Sequence, residues 1–194
     1  MKKLDGKIKY NIAVFISGRG SNLKSIIDYS KQKKTCYNVR IVISNKKKVN
    51  GLLIAKKENI ENHFVDFTKS KKLGNKVIKI LKKNNISLVC LAGFMKILPK
   101  YFIELYNGKI INIHPSLLPK YKGLDTHRRV ISNSEKFTGC TVHLVNRYLD
   151  SGKIIFQKKV RITKKDNAKS IEKKVLKIEH KIYPKVIEKI LSNP

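Results

Sequence analysis

The chain has 194 residues, of which 41% are hydrophobic. That is enough to bury the core of one ordinary domain, and it excludes an intrinsically disordered chain. The 44 Lys and Arg residues against 13 Asp and Glu give a formal net charge of +31, which usually indicates nucleic acid or another anionic partner.

Two features of the basic residues weaken that indication. Six of them are Arg, the residue whose planar fork reads bases and clamps phosphates, and all the others are Lys. The Lys residues are spread through nearly every segment beside abundant Ile and Asn, and these residue types share A/T-rich codons. We therefore interpret the charge as compositional drift and expect no functional nucleic-acid binding. A functional basic surface is the alternative.

The cysteine content and the apolar runs bear on location. Cys36, Cys90 and Cys140 are widely spaced and form no Cys-x-x-Cys pair. This spacing excludes the familiar zinc motifs and a disulfide framework, and it suits a reducing cytosol. No apolar run is long enough for a signal peptide or a membrane span. We expect a cytoplasmic protein with no metal and no membrane partner.

The first half of the chain alternates apolar runs with helical patterns. Continuous apolar runs predict buried strands, and apolar spacings of three and four predict helices. The predicted strands are 11–16, 39–44, 63–67 and 88–92. Three helices are predicted between them: the first begins near 23, the second covers 52–59, and the third ends near 84. Strands and helices that alternate in this way predict a parallel sheet with helices on both faces.

The pattern changes after Gly93. An apolar strand delivers His114, and later segments alternate in a way that predicts antiparallel strands. The predicted strands of this half are 110–113, 140–145 and 154–161. The predicted helices are 99–106, a segment that ends near 133, and 167–191. Pro184 is the place where the last helix is expected to bend. No linker separates the two halves, so we predict one domain with two subregions.

The loop after the first strand, Ser17-Gly-Arg-Gly-Ser-Asn22, is a candidate anion site. A glycine turn that feeds a helix leaves amides pointing outward, and the helix dipole favours an anion there. Those donors are expected at Gly20, Ser21 and Asn22. Leu23 stands where a dinucleotide fingerprint has its third glycine, and no Walker A Lys follows. We predict a monophosphate group as the ligand, with a simple tight turn as the alternative.

The segment from Asn112 to Pro119 is a candidate catalytic site. Asn112 and His114 are two apart on a strand, so their side chains leave the same face. At the carboxyl end of a parallel strand they would lie in the crevice where such sheets bind ligands. An amide and an imidazole can both donate to a carbonyl oxygen that becomes an oxyanion. A structural histidine is the alternative.

Asp150 is the third candidate, because it follows an apolar strand and few acids exist in this chain. A carboxylate near His114 would raise the pKa of the imidazole and keep it protonated for hydrogen-bond donation. A turn aspartate before Gly152 is the alternative.

Four segments together resemble one enzyme family. They are Ile16-Ser-Gly-Arg-Gly-Ser-Asn-Leu23, Leu91-Ala-Gly-Phe-Met-Lys-Ile-Leu98, Ile111-Asn-Ile-His-Pro-Ser-Leu-Leu-Pro-Lys-Tyr121 and Leu149-Asp150-x-Gly152, followed by Glu179-His180-x-Ile-Tyr-Pro184. In this order, over nearly the whole chain, they closely resemble phosphoribosylglycinamide formyltransferase. The resemblance implies a Rossmann-like formyltransferase fold that transfers the formyl group of 10-formyltetrahydrofolate to the amine of glycinamide ribonucleotide in purine synthesis.

The resemblance also implies roles for individual residues. Gly20, Ser21 and Asn22 would hold the ribonucleotide phosphate, with Glu179 near the glycinamide part. Asn112 and His114 would polarise the formyl carbonyl and stabilise the oxyanion, and Asp150 would raise the pKa of His114 and help to move protons. The folate would contact Met95, Lys96, Ile97, Leu98, Asn112, Asn146 and Asp150. One domain over 1–194 would divide into a phosphate-binding half, 1–93, and a folate-binding and catalytic half, 94–194. The resemblance implies no metal, and a monomer or a homodimer is expected.

The chain departs from the family pattern at several positions. Lys96 stands in place of an Arg, Lys122 in place of a proline, Asp125 in place of a histidine, and Ser151 in place of a glycine. An Arg that contacts folate before the third helix has no clear counterpart within 69–72. None of these departures removes a candidate catalytic group, so they concern affinity more than the type of reaction.

Three other readings stay open. Methionyl-tRNA formyltransferase shares the fold and a similar Asn-x-His-Pro-Ser motif, but it has a C-terminal tRNA-binding domain and lacks this first loop. Formyltetrahydrofolate deformylase has an N-terminal regulatory domain, for which the ten residues before the first strand leave no room. The third is a nucleic-acid-binding protein that keeps an inactive enzyme fold, since a fold does not guarantee a function.

Overall fold

A computed structural model of the chain describes residues 3–4, 7–66 and 70–193, and for 3–4 and 7–8 the backbone alone. The strands are β1 (Lys3–Leu4), β2 (Lys7–Ile8), β3 (Tyr10–Ile16), β4 (Tyr37–Ser44), β5 (Glu61–Phe64), β6 (Ile86–Leu91), β7 (Lys109–His114), β8 (Phe137–Leu144) and β9 (Ile154–Arg161). The helices are α1 (Ser21–Ser30), α2 (Asn50–Lys57), α3 (Lys71–Lys83), α4 (Lys100–Leu105), α5 (Thr126–Ser132) and α6 (Ala168–Ser192). Phe67, at the end of one predicted strand, and Lys69, in the segment expected to contact folate, lie outside the described residues.

Seven strands form one sheet in the order β5-β4-β3-β6-β7-β8-β9. The five strands from β5 to β7 are parallel to one another, and β8 and β9 are antiparallel to their neighbours. This confirms the predicted mostly parallel sheet with an antiparallel C-terminal part. The sequence did not predict β1 and β2, which pair with each other as a separate two-stranded sheet.

Alternation along the central strand explains the two-sided core. In β3, Ile12, Val14 and Ile16 pack on one face of the sheet with apolar residues of α1, α2 and α6. Ala13 and Phe15 point to the other face, which α3 and α4 cover. Burial of a large apolar side chain stabilises a fold by about 1.5–3 kcal/mol, so both faces must be covered. The helices on both faces are therefore confirmed.

The last helix begins where the sequence offers a cap. The side chain of Asn167 accepts a hydrogen bond from the Ser170 amide, and the Ser170 hydroxyl accepts one from the Asn167 amide. Such a reciprocal box satisfies two donors that a helix N-terminus leaves free. The helix then runs through Pro184 without interruption to Ser192 and buries Ile171, Tyr183 and other apolar residues against the sheet.

The strand order creates a crevice at the carboxyl ends of β3 and β6. The chain leaves β3 toward β4 on one side, while β6 lies on the other, so the connections diverge at this point. Ligands of open α/β sheets bind at such a switch point. The amide of Ser17, directly after β3, donates to the carbonyl of Gly93, after β6, at 3.1 Å. The two loops of the crevice are thus held together at its floor.

Candidate active site

A cavity of about 1330 Å³ opens at the carboxyl ends of β3, β6 and β7. Its walls also include residues of β8, of the loop after it, and of α6. Every site residue predicted from the sequence lines this cavity: Gly20, Ser21, Asn22, Met95, Lys96, Ile97, Leu98, Asn112, His114, Asn146, Asp150 and Glu179. The structure therefore brings the predicted residues together, while their individual roles stay predictions.

His114 has an acceptor at each ring nitrogen. Its Nε2 lies 2.8 Å from the carbonyl oxygen of Tyr121, and its Nδ1 lies 3.3 Å from Oδ2 of Asp150. A carbonyl oxygen only accepts hydrogen bonds, so Nε2 carries a proton. A second proton, when the ring takes one, is held at Nδ1 toward Asp150.

Asp150 is held by both sides of the site. Its Oδ2 accepts a hydrogen bond from the amide of Gly123 at 2.9 Å, and its Oδ1 lies 3.6 Å from Nε2 of His143. Burial opposes ionisation, but His143, the Gly123 amide and His114 together hold the pKa of the carboxyl below its usual range. Asp150 is therefore an anion at neutral pH.

The net effect on His114 corrects the expectation of a raised pKa. Burial is the largest influence and lowers the pKa of the imidazole. The hydrogen bond to the Tyr121 carbonyl and the charge of Asp150 raise it, as predicted for Asp150, but they do not outweigh burial. The pKa of His114 lies below its usual 6.5, so the ring is neutral at pH 7 in the protein without ligands.

A second histidine joins the site from β8. In the antiparallel register His143 stands opposite Asn112, and the amide Nδ2 of Asn112 donates to Nε2 of His143 at 3.2 Å. The other ring nitrogen, Nδ1, lies 2.8 Å from the carbonyl of Leu144 and donates to it. His143 is 2% exposed, so it fixes the orientation of the Asn112 amide from within the core.

Three non-glycine residues around the cavity have left-handed backbone. The φ angles are 57° at Tyr121, 56° at Asp125 and 44° at Asp150. A non-glycine residue in this conformation lowers the stability of the fold by about 1 kcal/mol or more, and such residues are concentrated at functional sites in proteins. The conformation directs the Tyr121 carbonyl at His114 and the Asp150 carboxyl at both histidines.

The other end of the cavity is built on the N-terminus of α1. Gly20 precedes the helix with a φ of 77°, and among the described residues no side chain caps this helix. A Cβ on Gly20 would stand 2.6 Å from the Cα of Gly51, so the loop packs directly on the backbone of α2. The Gly51 amide donates to the carbonyl of Gly18 at 3.1 Å. The first-turn amides of α1 therefore face the cavity from a fixed backbone.

Asn22 and Glu179 form a buried polar pair at this end. The Asn22 amide donates to Oε2 of Glu179 at 2.8 Å, and the residues are 7% and 5% exposed. Oδ1 of Asn22 is buried and has no hydrogen-bond partner within the described part of the chain. Burial raises the pKa of Glu179 to about 7, against the opposing hydrogen bond from Asn22.

Apolar side chains stand exposed at the rim between the two ends. Met95 is 60% exposed, Ile97 65%, Leu124 69%, Tyr148 59% and Leu149 47%. All five line the cavity, whereas Leu98 is nearly buried. A cluster of exposed apolar residues beside polar groups indicates a binding surface for a partly apolar ligand.

Several residues of the site were not found from the sequence. They are Arg19, Tyr121, His127, His143 and Glu172. Tyr121 acts through its backbone carbonyl, which carries no sequence signal. His143 lies within the strand predicted over 140–145, but its place opposite Asn112 depends on the register of β7 and β8, which is set only in the assembled sheet.

Among the residues that the structure describes, no group of three or more His, Cys, Asp or Glu side chains is arranged to hold a metal ion. Within the same residues no helix combines the length and apolarity needed to cross a membrane. Cys36, Cys90 and Cys140 are free thiols.

The fold and the cavity define the class of protein. An open α/β sheet with an imidazole–carboxylate pair and an uncapped helix N-terminus at one crevice is typical of an enzyme that acts on a small molecule. The sequence profile described as formyl transferase matches residues 10–187. The chain belongs to the formyl transferase family, which confirms the family resemblance and the enzyme class.

Named relatives agree with this assignment. Phosphoribosylglycinamide formyltransferase of Escherichia coli is 42% identical over 180 residues, which cover 91% of this chain and 85% of the relative. The crystal structure of phosphoribosylglycinamide formyltransferase from Anaplasma phagocytophilum has a TM-score of 0.89 at 38% identity and covers 94% of this chain and 87% of that one. The fold is therefore that of the formyltransferases.

Longer relatives contain the same segment. The human trifunctional purine biosynthetic protein adenosine-3 is 38% identical over 189 residues, which cover 96% of this chain. The chain spans 19% of the length of that relative.

Proposed function

We propose that the protein transfers the formyl group of 10-formyltetrahydrofolate to the amine of glycinamide ribonucleotide in purine synthesis. The observation that carries the proposal is that one cavity joins an uncapped helix N-terminus, a buried carboxylic acid, an imidazole–carboxylate pair and an apolar rim. These four features match, in order, the phosphate, the glycinamide, the reacting formyl group and the pterin of the two substrates.

The phosphate is assigned to the amides of Gly20, Ser21 and Asn22. Free amides in the first turn of a helix, together with the helix dipole, favour an anion by about 0.3–1 kcal/mol or more when partly buried. The packing of Gly20 on Gly51 supports this assignment, because the donors do not have to be ordered when the ligand binds.

The glycinamide is assigned to the Asn22–Glu179 pair. Oδ1 of Asn22 is a buried acceptor whose missing partner would be an N–H or a hydroxyl of the ribosyl glycinamide. Glu179, with its pKa raised to about 7, changes charge at neutral pH and can therefore take part in holding the substrate amine.

The formyl oxygen is assigned to Asn112 and His114. One amide hydrogen of Asn112 goes to His143, and the second is available to an oxyanion. The 3.3 Å distance from Nδ1 of His114 to Asp150 exceeds that of a tight charged hydrogen bond, about 2.7–2.9 Å. A proton at Nδ1 can therefore be shared with the oxygen of the formyl group.

Proton movement follows from the neutral state of His114. When the amine nitrogen attacks the formyl carbon, a carbon–nitrogen bond forms, the π electrons of the C=O bond move onto the oxygen as an oxyanion, and His114 accepts the proton that the nitrogen loses. Protonation of His114 between two anions, the new oxyanion and Asp150, is more favourable than in the protein without ligands. The pair of His114 and Asp150 is therefore complementary to the transition state rather than to the substrate. The oxyanion then re-forms the C=O bond, the bond from the formyl carbon to N10 of the folate breaks, and His114 gives its proton to N10.

The folate ring system is assigned to the rim, with Met95, Lys96, Ile97 and Leu98 on one side and the 146–150 loop on the other. The exposed apolar side chains there support this assignment. The division into a phosphate-binding half, 1–93, and a folate-binding half, 94–194, stays a prediction, with Glu179 of α6 crossing it. A cytoplasmic location, the absence of a metal, and a monomer or homodimer also stay predictions.

The proposal is tested by mixing the protein with both substrates and following release of tetrahydrofolate, with His114→Ala in parallel. We expect turnover in the wild type and a loss of about 100-fold or more in kcat for the variant, as for removal of a general acid–base group. Wild-type protein that folds but does not turn over would contradict the proposal. Formylation of methionyl-tRNA and salt-dependent nucleic-acid binding would then be measured.

A further inference from the structure

An ion pair spans the α1 end of the cavity and has no part in the transfer described above. Nη2 of Arg19, between Gly18 and Gly20, lies 2.6 Å from Oε1 of Glu172 on α6. Both residues line the cavity. The side chains are 79% and 42% exposed, and exposed pairs contribute little to the stability of a fold. Stability therefore does not explain why these charges meet at the mouth of the site.

The backbone under Arg19 is fixed, so the side chain is the part that can move. The side chain of Asn50 donates to the carbonyl of Arg19 at 2.9 Å, and the Gly51 amide donates to the carbonyl of Gly18. Arg19 thus carries a flexible cation on a rigid loop, two residues before the first residue of α1.

The chemistry of the two side chains points to a phosphate as the natural partner of Arg19. A guanidinium presents a planar fork that matches a phosphate with two hydrogen bonds. Glu172 carries one negative charge, whereas a phosphate monoester carries about −1.5 to −2 at pH 7. Exchange of the carboxylate for the phosphate therefore gains Coulomb attraction at the cation.

We propose that Arg19 binds the phosphate of the substrate, and that Glu172 holds the guanidinium until the phosphate displaces it. This inference rests on the assignment of the phosphate to the N-terminus of α1. It makes Arg19 a binding residue that selects phosphorylated over unphosphorylated amines. Glu172 competes with the substrate for the same cation and so lowers its affinity.

The experiment compares Arg19→Ala, Glu172→Gln, the double variant and wild type. Arg19→Ala is expected to raise KM for glycinamide ribonucleotide about tenfold, the loss expected for one charge-assisted contact, with kcat within about twofold. Glu172→Gln is expected to lower KM about two- to threefold, as suits an exposed pair. The double variant should match Arg19→Ala, because Glu172 acts through Arg19.

Arg161→Ala is the matched control, since Arg161 is exposed on β9, away from the cavity. It removes the same charge and should leave KM unchanged. An unchanged KM in Arg19→Ala, or a raised KM in Glu172→Gln, would overturn the inference while turnover by the wild type leaves the proposed function standing.

Binding of ribose 5-phosphate, measured by calorimetry, separates the two proposals when the wild type shows no turnover. Weaker binding in Arg19→Ala than in wild type and Arg161→Ala would support the role of Arg19 on its own. Equal binding in all three, or no binding to any of them, would overturn it.

Discussion

The two ends of the cavity are built in different ways. At the α1 end the donors are backbone amides of one continuous loop that is locked against α2, and the carboxyl groups of Glu172 and Glu179 reach this loop from α6. The β7 end combines side chains from three separate segments, namely β7, β8 and the loop at Asp150. The donors of the α1 end are made by local backbone geometry, whereas those of the β7 end come together only when distant segments meet.

This difference predicts how each end responds to substitution. Backbone amides cannot be removed by changing a side chain, so variants at the α1 end should alter binding gradually. Each side chain at the β7 end has a partner that its loss would leave buried without a hydrogen bond, so variants there should affect the rate steeply.

The largest expected effect is at Asp150. Asp150→Asn keeps the shape of the side chain, and Asn also tolerates the left-handed backbone at this position. We expect kcat to fall about 100-fold or more, since loss of the anion lowers the pKa of His114 further and removes support for its protonated form.

Single-turnover kinetics over a range of pH checks this prediction. The acid limb of kcat/KM should lie below pH 6.5 in the wild type and move to lower pH in the variant. Asp28→Asn, on the exposed face of α1, is the control. A kcat above one tenth of the wild-type value would show that His114 does not need the carboxylate.

A smaller effect concerns stability at the α1 end. The pKa of Glu179 is raised from 4.5 to about 7, so the folded state binds a proton that the unfolded state releases between these values. The free energy of unfolding should therefore fall as pH rises through this window and level off above about 7. Glu179→Gln removes the titration.

Urea unfolding of wild type and Glu179→Gln at pH 5 and pH 8 checks the size of the effect. The difference in free energy of unfolding between the two proteins should change by about 2 kcal/mol from pH 5 to pH 8. The variant should be more stable relative to wild type at pH 8 than at pH 5. Parallel pH dependences for the two proteins would mean that Glu179 is ionised in the folded state at pH 5.

The smallest effect is expected at two positions where the chain departs from the family pattern. Nζ of Lys122 donates to Oγ of Ser151 at 2.6 Å, which joins the loop after His114 to the loop that carries Asp150. Both side chains are exposed, so Lys122→Ala should cost about 0.5 kcal/mol or less in stability and change kcat less than threefold.

Steady-state kinetics and thermal unfolding of Lys122→Ala, Ser151→Ala and the double variant would measure this link. A double variant no worse than either single variant would show that the contact acts as a unit. A loss of kcat as large as that of Asp150→Asn would mean that the β7 end depends on this outer contact and not on its buried ones.

The comparison of the two ends also explains what the sequence could predict. The bounds of β9, Ile154–Arg161, match the prediction. The turn over 17–22 was predicted from its glycines before a helix, and the shared face of Asn112 and His114 was predicted from the two-residue period of a strand. Two partners of residues in these segments were not predicted: His143 depends on the register of two strands, and Glu172 is 153 residues from Arg19.

The sign of the His114 shift was beyond the sequence for a similar reason. A nearby carboxylate can be inferred from a motif, but the depth of burial is a property of the assembled cavity. Here burial outweighs the carboxylate. Only the structure reveals which of two opposed effects is larger.

The contact between Gly20 and Gly51 limits where this loop could work outside its own fold. A Cβ on Gly51 would stand 2.3 Å from Cδ1 of Ile16 and 3.2 Å from the carbonyl of Gly18, so a side chain here would push the buried Ile16 side chain aside and press on the loop. Transplanting Ser17–Asn22 onto another strand and helix would move the loop with the amide donors but not the backbone of α2 on which that loop packs. The anion cradle is portable only together with the first residues of α2, and a recipient scaffold must supply a second backbone at the same close distance.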